Sequence, residues 1–354
     1  MTIDQLLERI GDARALALGG FMVGLAFGAF AQQSKFCLRA GVIEFAHRKL
    51  GPKVAVWVLA FSAAVAATQV AIALDLLNVS EARQIAAKGS LSGAAIGGLL
   101  FGGGMILARG CASRLLVLSA TGNLRALVTG LILTIVAQAS LRGALSPVRE
   151  ALSELWTVEG GAGRNVLASL GAGPVTGSFL GLLWLTIGLW IARRNALSPK
   201  PVMTAIGVGL MVAAGWVFTY AMSKVAFEAS RVTSISFTGP SADTLMGLIN
   251  ARSIPLSFDI GLVPGVFLGS LAASLLTREF ELQGFEGGPS MLRYIAGATL
   301  MGFGSMLAGG CAVGAGVTGC AIFAITGWIA LPAMWLGAIA TDRLIDSAGR
   351  PSTA

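Results

Sequence analysis

Charged residues are scarce in this chain of 354 residues, and histidine and tyrosine are scarcer still. Asp, Glu, Lys and Arg together make up 12% of the chain, about half of the roughly 25% found in soluble domains. Apolar residues make up 55%, and the mean hydropathy is +0.80. A soluble fold could not cover so large an apolar content with so few charged groups. The composition therefore excludes a soluble globular protein and indicates a polytopic membrane protein.

The chain also lacks the residues from which most metal centres are built. It has one histidine, His47, and four cysteines, none of them in a Cys-x-x-Cys pair. Zinc and iron–sulfur sites need clustered Cys and His ligands, so we expect no metal and no cofactor. The GxxxxGK[ST] motif is absent, which argues against ATP-driven transport by this chain alone. The basic excess of +8 forms no stripe, so nucleic acid is not an expected partner.

Long apolar runs predict an all-α polytopic membrane protein with about nine transmembrane helices. A helix needs about 20 predominantly apolar residues to cross a bilayer, and nine runs of this kind occur. They lie near 14–31, 53–77, 91–108, 123–141, 174–193, 202–221, 258–277, 291–308 and 327–346. Three further stretches, 34–48, 111–120 and 311–325, are too short or too polar to cross, and they predict short non-crossing helices.

The chain contains an internal repeat with an offset of 200 residues. Residues 97–112 read GGLLFGGGMILARGCA and residues 297–312 read GATLMGFGSMLAGGCA, with nine of 16 positions identical. Four predicted spans precede the central helix near 174–193 and four follow it, so the two halves should have opposite orientations. Inverted repeats of this kind are common in secondary transporters, whose substrate sites lie near the midplane where helices break.

The repeat divides a single membrane domain into a first half (1–145), a connecting segment with the central helix (146–200) and a second half (201–354). In the nine-span arrangement the two faces carry 10 and 15 Lys and Arg residues, with the larger number on the face that holds the carboxyl end. Basic residues concentrate on the cytoplasmic side, so we expect the amino end outside and the carboxyl end inside. A cleaved signal peptide is not expected, because Asp4 and Glu8 stand where a basic region would be needed.

Glycine runs interrupt the repeated spans at Gly110-Cys111 and at Gly310-Cys311. Glycine costs about 1 kcal/mol relative to alanine in a helix, so these runs predict that each helix stops there. The short helix that follows would begin near the cysteine and point its first free N–H groups into the protein. Two such ends meeting from opposite sides would form an anion site of backbone donors, which needs no fixed cation.

The other two cysteines differ in their surroundings. Cys37 lies in the polar stretch QQSKFCLRAG, where Gln33 is a further candidate ligand. The equivalent position of the second half holds Phe237, so the halves are not expected to be functionally symmetric. Cys320 is expected to be a small buried apolar side chain, the usual role of a membrane cysteine.

Three of these motifs resemble those of the YeeE/YedE family of bacterial inner-membrane proteins: the FC pair in QQSKFC, the GGGMILARGC run and the GFGSMLAGGC run. The resemblance extends along most of the chain. It implies an inner-membrane transporter in which three cysteines pass an anion along by hydrogen bonds to sulfur. By motif these are Cys37, Cys111 and Cys311, with Cys111 as the principal site. The YeeE branch takes up thiosulfate and the YedE branch is associated with selenium metabolism, so both substrate classes stay open.

The residues and the resemblance together predict transport of thiosulfate into the cytoplasm. Backbone N–H groups suit the oxygens of thiosulfate, and a neutral thiol can donate to its polarisable sulfur. The predicted substrate-binding residues are Cys37, Cys111, Cys311, Gly110, Gly310 and Gln33, and a cytoplasmic sulfur-carrier protein is an expected partner. A membrane thiol oxidoreductase or sulfurtransferase is a second hypothesis, which needs an activated thiolate. A structural membrane subunit is a third.

Overall fold

The computed structural model describes residues 11–226, 231–250, 255–284 and 288–348. Within them the chain is almost entirely helical, with one short antiparallel pair of strands. The first elements are α1 (Asp12–Ser34), α2 (Leu38–Ala46), α3 (Pro52–Ala73), α4 (Arg83–Ala86), β1 (Gly89–Ser90), α5 (Leu91–Leu107), α6 (Ala112–Ala120), α7 (Leu124–Arg142), α8 (Ser146–Glu154) and β2 (Thr157–Val158). After a 3₁₀ turn (Ala162–Arg164) come α9 (Val166–Ser169), α10 (Pro174–Arg194), α11 (Pro199–Val225), α12 (Thr238–Asn250), α13 (Phe258–Leu276), α14 (Gly288–Leu307), α15 (Ala312–Thr318, wound as a π-helix), α16 (Gly319–Ala321) and α17 (Ile325–Ala348). Asp4 and Glu8 lie outside the described residues.

Eight helical segments of the described residues are long and apolar enough to cross a membrane. They correspond to the first eight of the nine predicted spans. The ninth, predicted near 327–346, is α17, which is less apolar because Thr341, Asp342 and Arg343 lie in its second half. The protein is therefore an all-α polytopic membrane protein, with eight such segments where the sequence predicts nine.

The repeated glycines hold α5 and α14 against each other backbone to backbone. A Cβ atom on Gly97 would lie 2.5 Å from the carbonyl oxygen of Gly304, and one on Gly104 would lie 2.6 Å from that of Gly297. The reverse contacts are also present, each at 2.7 Å. Every contact thus has a counterpart in which the two halves exchange roles, which is the packing that an inverted repeat predicts. Only residues without a side chain let two helices approach this closely.

Apart from the central helix α10, which packs on α3, the remaining long helices pack in pairs that are equivalent between the two halves. α1 packs along α13, where Gly20 and Gly24 lie against the backbone of Phe258 and Leu262, and α11 packs along α3 in the corresponding place. Likewise, α17 packs along α5, and α7 packs along α14. The residues at which the two halves begin and end stay a prediction.

The helix ends define two faces of the molecule, which we name after one residue on each. The Asp12 face holds the start of α1, where Asp12 lines a cavity together with Arg231 and Asp259. The Lys35 face holds the end of α1, where the Lys35 Nζ atom lies 3.8 Å from a carboxylate oxygen of Glu279. The chain therefore crosses from the Asp12 face to the Lys35 face in its first helix.

Replacing Gly97 by alanine should destabilise the fold, because the new Cβ would lie 2.5 Å from backbone atoms of both Gly304 and Ala308. Overpacking of this kind costs about 1–3 kcal/mol, and the thermal midpoint of the purified variant should fall. Gly130→Ala is the matched control, since its Cβ would meet only the Leu115 side chain, at 3.9 Å. Equal thermal midpoints for the two variants would contradict this account of the packing.

Candidate functional site

The two repeated spans are broken where the sequence predicts. α5 and α14 each end four residues before the repeated cysteine, and α6 and α15 each begin at the residue after it. Cys111 and Cys311 are therefore the N-cap residues of short helices, with extended backbone. The turn into each cysteine is left-handed at Arg109 (φ 56°) and at Gly309 (φ 80°). The residue that reverses the chain thus comes one position earlier than the glycines chosen from the sequence.

The two glycines predicted as ligands differ in the room around them. A Cβ on Gly310 would lie 2.7 Å from the backbone nitrogen of Ala315, which is fixed in the next helix. A Cβ on Gly110 would meet the end of the Leu115 side chain at 3.3 Å, and that side chain can shift. Position 310 therefore requires glycine for steric reasons, whereas position 110 does not. Their role as ligands stays a prediction.

Cys37 is a third cysteine at the start of a short helix. It is the N-cap residue of α2 and has extended backbone. Phe237 directly precedes α12, and its carbonyl accepts a hydrogen bond from the Ser241 nitrogen at 2.8 Å. The Phe237 ring packs against Phe27, with the ring centroids 5.3 Å apart. Four short helices, two in each half, thus begin at equivalent places, and three of the four carry a thiol there.

The short helices contact one another, and two of them meet at their N-cap residues, Cys37 and Cys111. The side chains of Cys37 and Cys111 interact with each other, and both cysteines are free thiols. α6 also contacts α15. The Thr318 hydroxyl of α15 donates to the carbonyl of Ile235 at 2.7 Å, which ties α15 to the segment before α12.

Each of these three helix starts combines a thiol with backbone N–H groups. Cys111 and Cys311 are each only 1% exposed. The Cys311 sulfur accepts a hydrogen bond from the Gly314 nitrogen at 3.4 Å, and the Cys111 sulfur lies 3.3 Å from the Ser113 hydroxyl. The side chains of Cys37 and Cys111 make no capping hydrogen bond to their own helices. The N–H groups of the first turn, which have no partner inside a helix, can therefore bind a ligand with help from the helix dipole.

A cavity on the Asp12 side reaches the backbone around Cys311. It is lined by Gly309, Gly310 and Gly314, and by Arg83, whose Nη2 atom donates to the Gly309 carbonyl at 3.3 Å. Its volume is about 180 Å³, against the roughly 10–15 Å³ that a cavity needs to hold one water molecule. A small oxyanion therefore fits beside this turn.

Two other residues singled out in the sequence are used in packing. The Gln33 side chain donates to the Ala273 carbonyl of α13 at 3.4 Å, and its role as a ligand stays a prediction. Cys320 is fully buried, the environment expected of a packing cysteine. Across the part of the chain that the structure describes, no three His, Cys, Asp or Glu side chains gather as a set that could hold a metal ion.

Sequence motifs do not predict that several arginines gather around Cys37. The guanidinium groups of Arg39 and Arg114 lie near the Cys37 side chain, and those of Arg109 and Arg293 lie near that of Arg39. These arginines come from four separate elements or turns, so no single motif contains them. Two of them, Arg109 and Arg114, lie within three residues of Cys111, which is the one indication in the sequence that they are near the site.

Eight long apolar segments of the described residues, two of which are broken at a repeated cysteine, define a polytopic membrane protein. A family model described as sulphur transport matches residues 33–340, and the chain belongs to this family, which confirms the resemblance of its motifs. The chain is 25% identical over 360 residues to the thiosulfate transporter TsuA of Escherichia coli, covering 94% of this chain and 95% of that protein. It is 27% identical over 327 residues to the thiosulfate transporter TsuA of Spirochaeta thermophila, covering 88% and 93%.

The difference in burial predicts different thiol reactivity. In single-cysteine variants, Cys37, which is half-buried, should react with a small anionic methanethiosulfonate roughly tenfold or more faster than Cys320, because thiol reactivity depends on access. The rate is measured by mass spectrometry of the intact protein in its native membrane environment. Labelling of Cys320 at the rate of Cys37 would show that one of the two side chains is placed differently.

Proposed function

We propose that this protein imports thiosulfate and that Cys37, Cys111 and Cys311 bind it together with the free N–H groups of α2, α6 and α15. The observation that carries the proposal is that three short helices each begin at a thiol, and that two of these thiols, Cys37 and Cys111, interact. Thiosulfate is a dianion with three oxygens and one large, polarisable sulfur. Helix N–H groups suit the oxygens, and a thiol can donate weakly to the sulfur. The names of the two curated relatives support this choice of substrate.

These groups are expected to bind the anion weakly enough to release it. Thiolates would repel a dianion, so the thiols act in the protonated form. A thiol hydrogen bond is weak, and a pathway needs sites that bind without holding. In this proposal Cys111 is the principal site, Gly110 and Gly310 leave the adjoining backbone open to the anion, and Gln33 is a polar neighbour of Cys37.

We propose that the Asp12 face lies outside the bacterial inner membrane and the Lys35 face lies in the cytoplasm. The greater number of basic residues on the face with the carboxyl end supports this orientation. The anion would then enter through the cavity beside Gly309, pass Cys311 and Cys111, and leave past Cys37. A cytoplasmic sulfur-carrier protein stays a predicted partner at that exit.

The interaction between Cys37 and Cys111 favours a second candidate function, in which the chain exchanges sulfur with its substrate. Paired thiols are the arrangement that thiol–disulfide exchange uses. The single histidine argues against this chemistry, because His47 is exposed and its Nδ1 atom lies 2.8 Å from the Ile43 carbonyl of its own helix. Net flux of chemically unchanged thiosulfate into liposomes would separate transport from sulfur transfer.

Cys111→Ala should reduce thiosulfate uptake to the background level, because it removes the principal thiol. The measurement is uptake of radiolabelled thiosulfate by cells that lack other importers, with the amount of protein in the membrane checked by immunoblot. Cys320→Ala is the matched control and should transport normally, since Cys320 is fully buried and is not one of the three predicted site cysteines. Full activity of Cys111→Ala, or no difference between the unchanged protein and an empty vector, would refute the proposal.

Competition by related anions tests whether the soft sulfur is recognised. Sulfate has the same charge as thiosulfate but only oxygens, so a roughly tenfold excess outside the cell should inhibit uptake weakly, since a hydrogen-bonding site discriminates against an analogue that lacks the matching atom. Equal inhibition by sulfate and by unlabelled thiosulfate would mean that charge alone is recognised. Stronger competition by selenite than by thiosulfate would favour a selenium species as the substrate.

A further inference from the structure

Five arginines surround the inner end of the proposed pathway, and we call them the arginine cluster: Arg39, Arg109, Arg114, Arg125 and Arg293. Arg39 lies near Cys37 and near the guanidinium groups of Arg109 and Arg293, and Arg114 also lies near Cys37. The guanidinium carbons of Arg109 and Arg125 lie 5.8 and 4.8 Å from the ring centroid of Tyr294, which is buried.

Four members of the arginine cluster have buried donor nitrogens that no described residue satisfies. Asp342 is the acidic residue that interacts with Arg39. Buried guanidinium nitrogens without a hydrogen-bond partner occur in four members: Arg39 Nε, Arg114 Nη1, Arg125 Nη1 and Arg293 Nε. Among the described residues none of these four forms an ion pair with an acidic side chain within 4.0 Å. Buried charged donors are expensive to leave without acceptors, so these nitrogens indicate an anionic ligand.

The repeat shows that the arginine cluster has no equivalent in the other half. With the offset of 200 residues, four of the five arginines correspond to glycine in the other half: Arg39 to Gly239, Arg109 to Gly309, Arg114 to Gly314, and Arg293 to Gly93. The Asp12 side has basic residues of its own: Arg83 and Arg231 line one cavity with Asp243 and Asp259, and Arg83 lines a second one with Lys88, Arg149 and Arg164. The two mouths are therefore both basic but are built from different residues, and the arginine cluster occurs at only one of them.

We propose that the arginine cluster is a second anion site, which binds a divalent oxyanion through its oxygens on the Lys35 side of the thiols. Guanidinium groups bind oxyanions through strong, charge-assisted hydrogen bonds, so this site recognises charge and oxygen rather than soft sulfur. Its place in transport rests on the proposed function. There the positive charge would attract the anion from the uncharged thiols towards the cytoplasm. The thiols would still determine which anion is transported.

Direct binding of radiolabelled inorganic sulfate tests the site without any transport. The full chain is reconstituted in phosphatidylcholine nanodiscs, and the dissociation constant of sulfate is measured. Arg39→Gln and Arg114→Gly should each weaken binding roughly tenfold or more, because each removes charge-assisted hydrogen bonds. Arg39→Lys should retain most of the affinity, which excludes misfolding as the cause of the loss. Arg194→Gln is the matched control, since Arg194 is exposed and stacks on Trp190 outside the cluster.

Two results would overturn the proposal. One is sulfate affinity in Arg39→Gln and Arg114→Gly equal to that of the unchanged protein. The other is loss of sulfate binding when anionic phosphatidylglycerol is added to the nanodiscs, because the cluster would then be a lipid headgroup site. Sulfate binding that depends on the cluster in a protein that takes up no thiosulfate would refute the proposed function and leave the arginine site standing.

Discussion

A helix that stops inside a bilayer leaves peptide groups that no lipid can satisfy. This constraint governs the structure, because two of the spans are broken between residues 107 and 112 and between 307 and 312. The breaks must be enclosed by protein. The glycines of α5 and α14 meet this need by bringing the two broken helices into backbone contact. The N–H groups at the start of the next short helices have no partner within a helix. They lie in the protein interior, where an anion can accept their hydrogen bonds.

Duplication places the same motif, a broken helix followed by a short helix that begins at a cysteine, in both halves of the protein. Each half supplies two short helices, and the inverted arrangement points them inward from opposite faces. The halves have then diverged at single positions within a shared backbone. Phe237 stands where the first half has Cys37, and Gly309 stands where it has Arg109. The two ends of the proposed pathway therefore carry different side chains, although the helices of the two halves are arranged in equivalent ways.

The spans, the breaks and the residues that begin the short helices could be predicted from the sequence, because each depends on local composition. Twenty apolar residues determine a crossing, and glycine before a repeated cysteine marks a helix end. The polar half of α17 was not anticipated, since its Thr341, Asp342 and Arg343 follow an ordinary apolar run. That helix is covered on one side by α5, where Gly98 and Gly102 receive its backbone.

Contacts between distant segments could not be predicted in the same way. The interaction of Cys37 with Cys111 and the arginine cluster both depend on how helices far apart in sequence pack. Basic residues near the end of a span are read as topology signals when the sequence stands alone, and their convergence becomes visible only in three dimensions. The left-handed turn at Arg109 was also hidden, because glycine at the next position is the expected residue for such a turn.

The most direct test of the central claim is a crystal structure of the protein soaked with selenosulfate, in which selenium replaces the outer sulfur of thiosulfate. The anomalous signal of selenium locates that atom without reference to any assumed pathway. This account predicts a peak against the Cys111 sulfur, with the oxygens of the anion towards the first N–H groups of the short helices. A peak beside Cys320 or on the lipid-facing surface, with none near Cys37, Cys111 or Cys311, would contradict it.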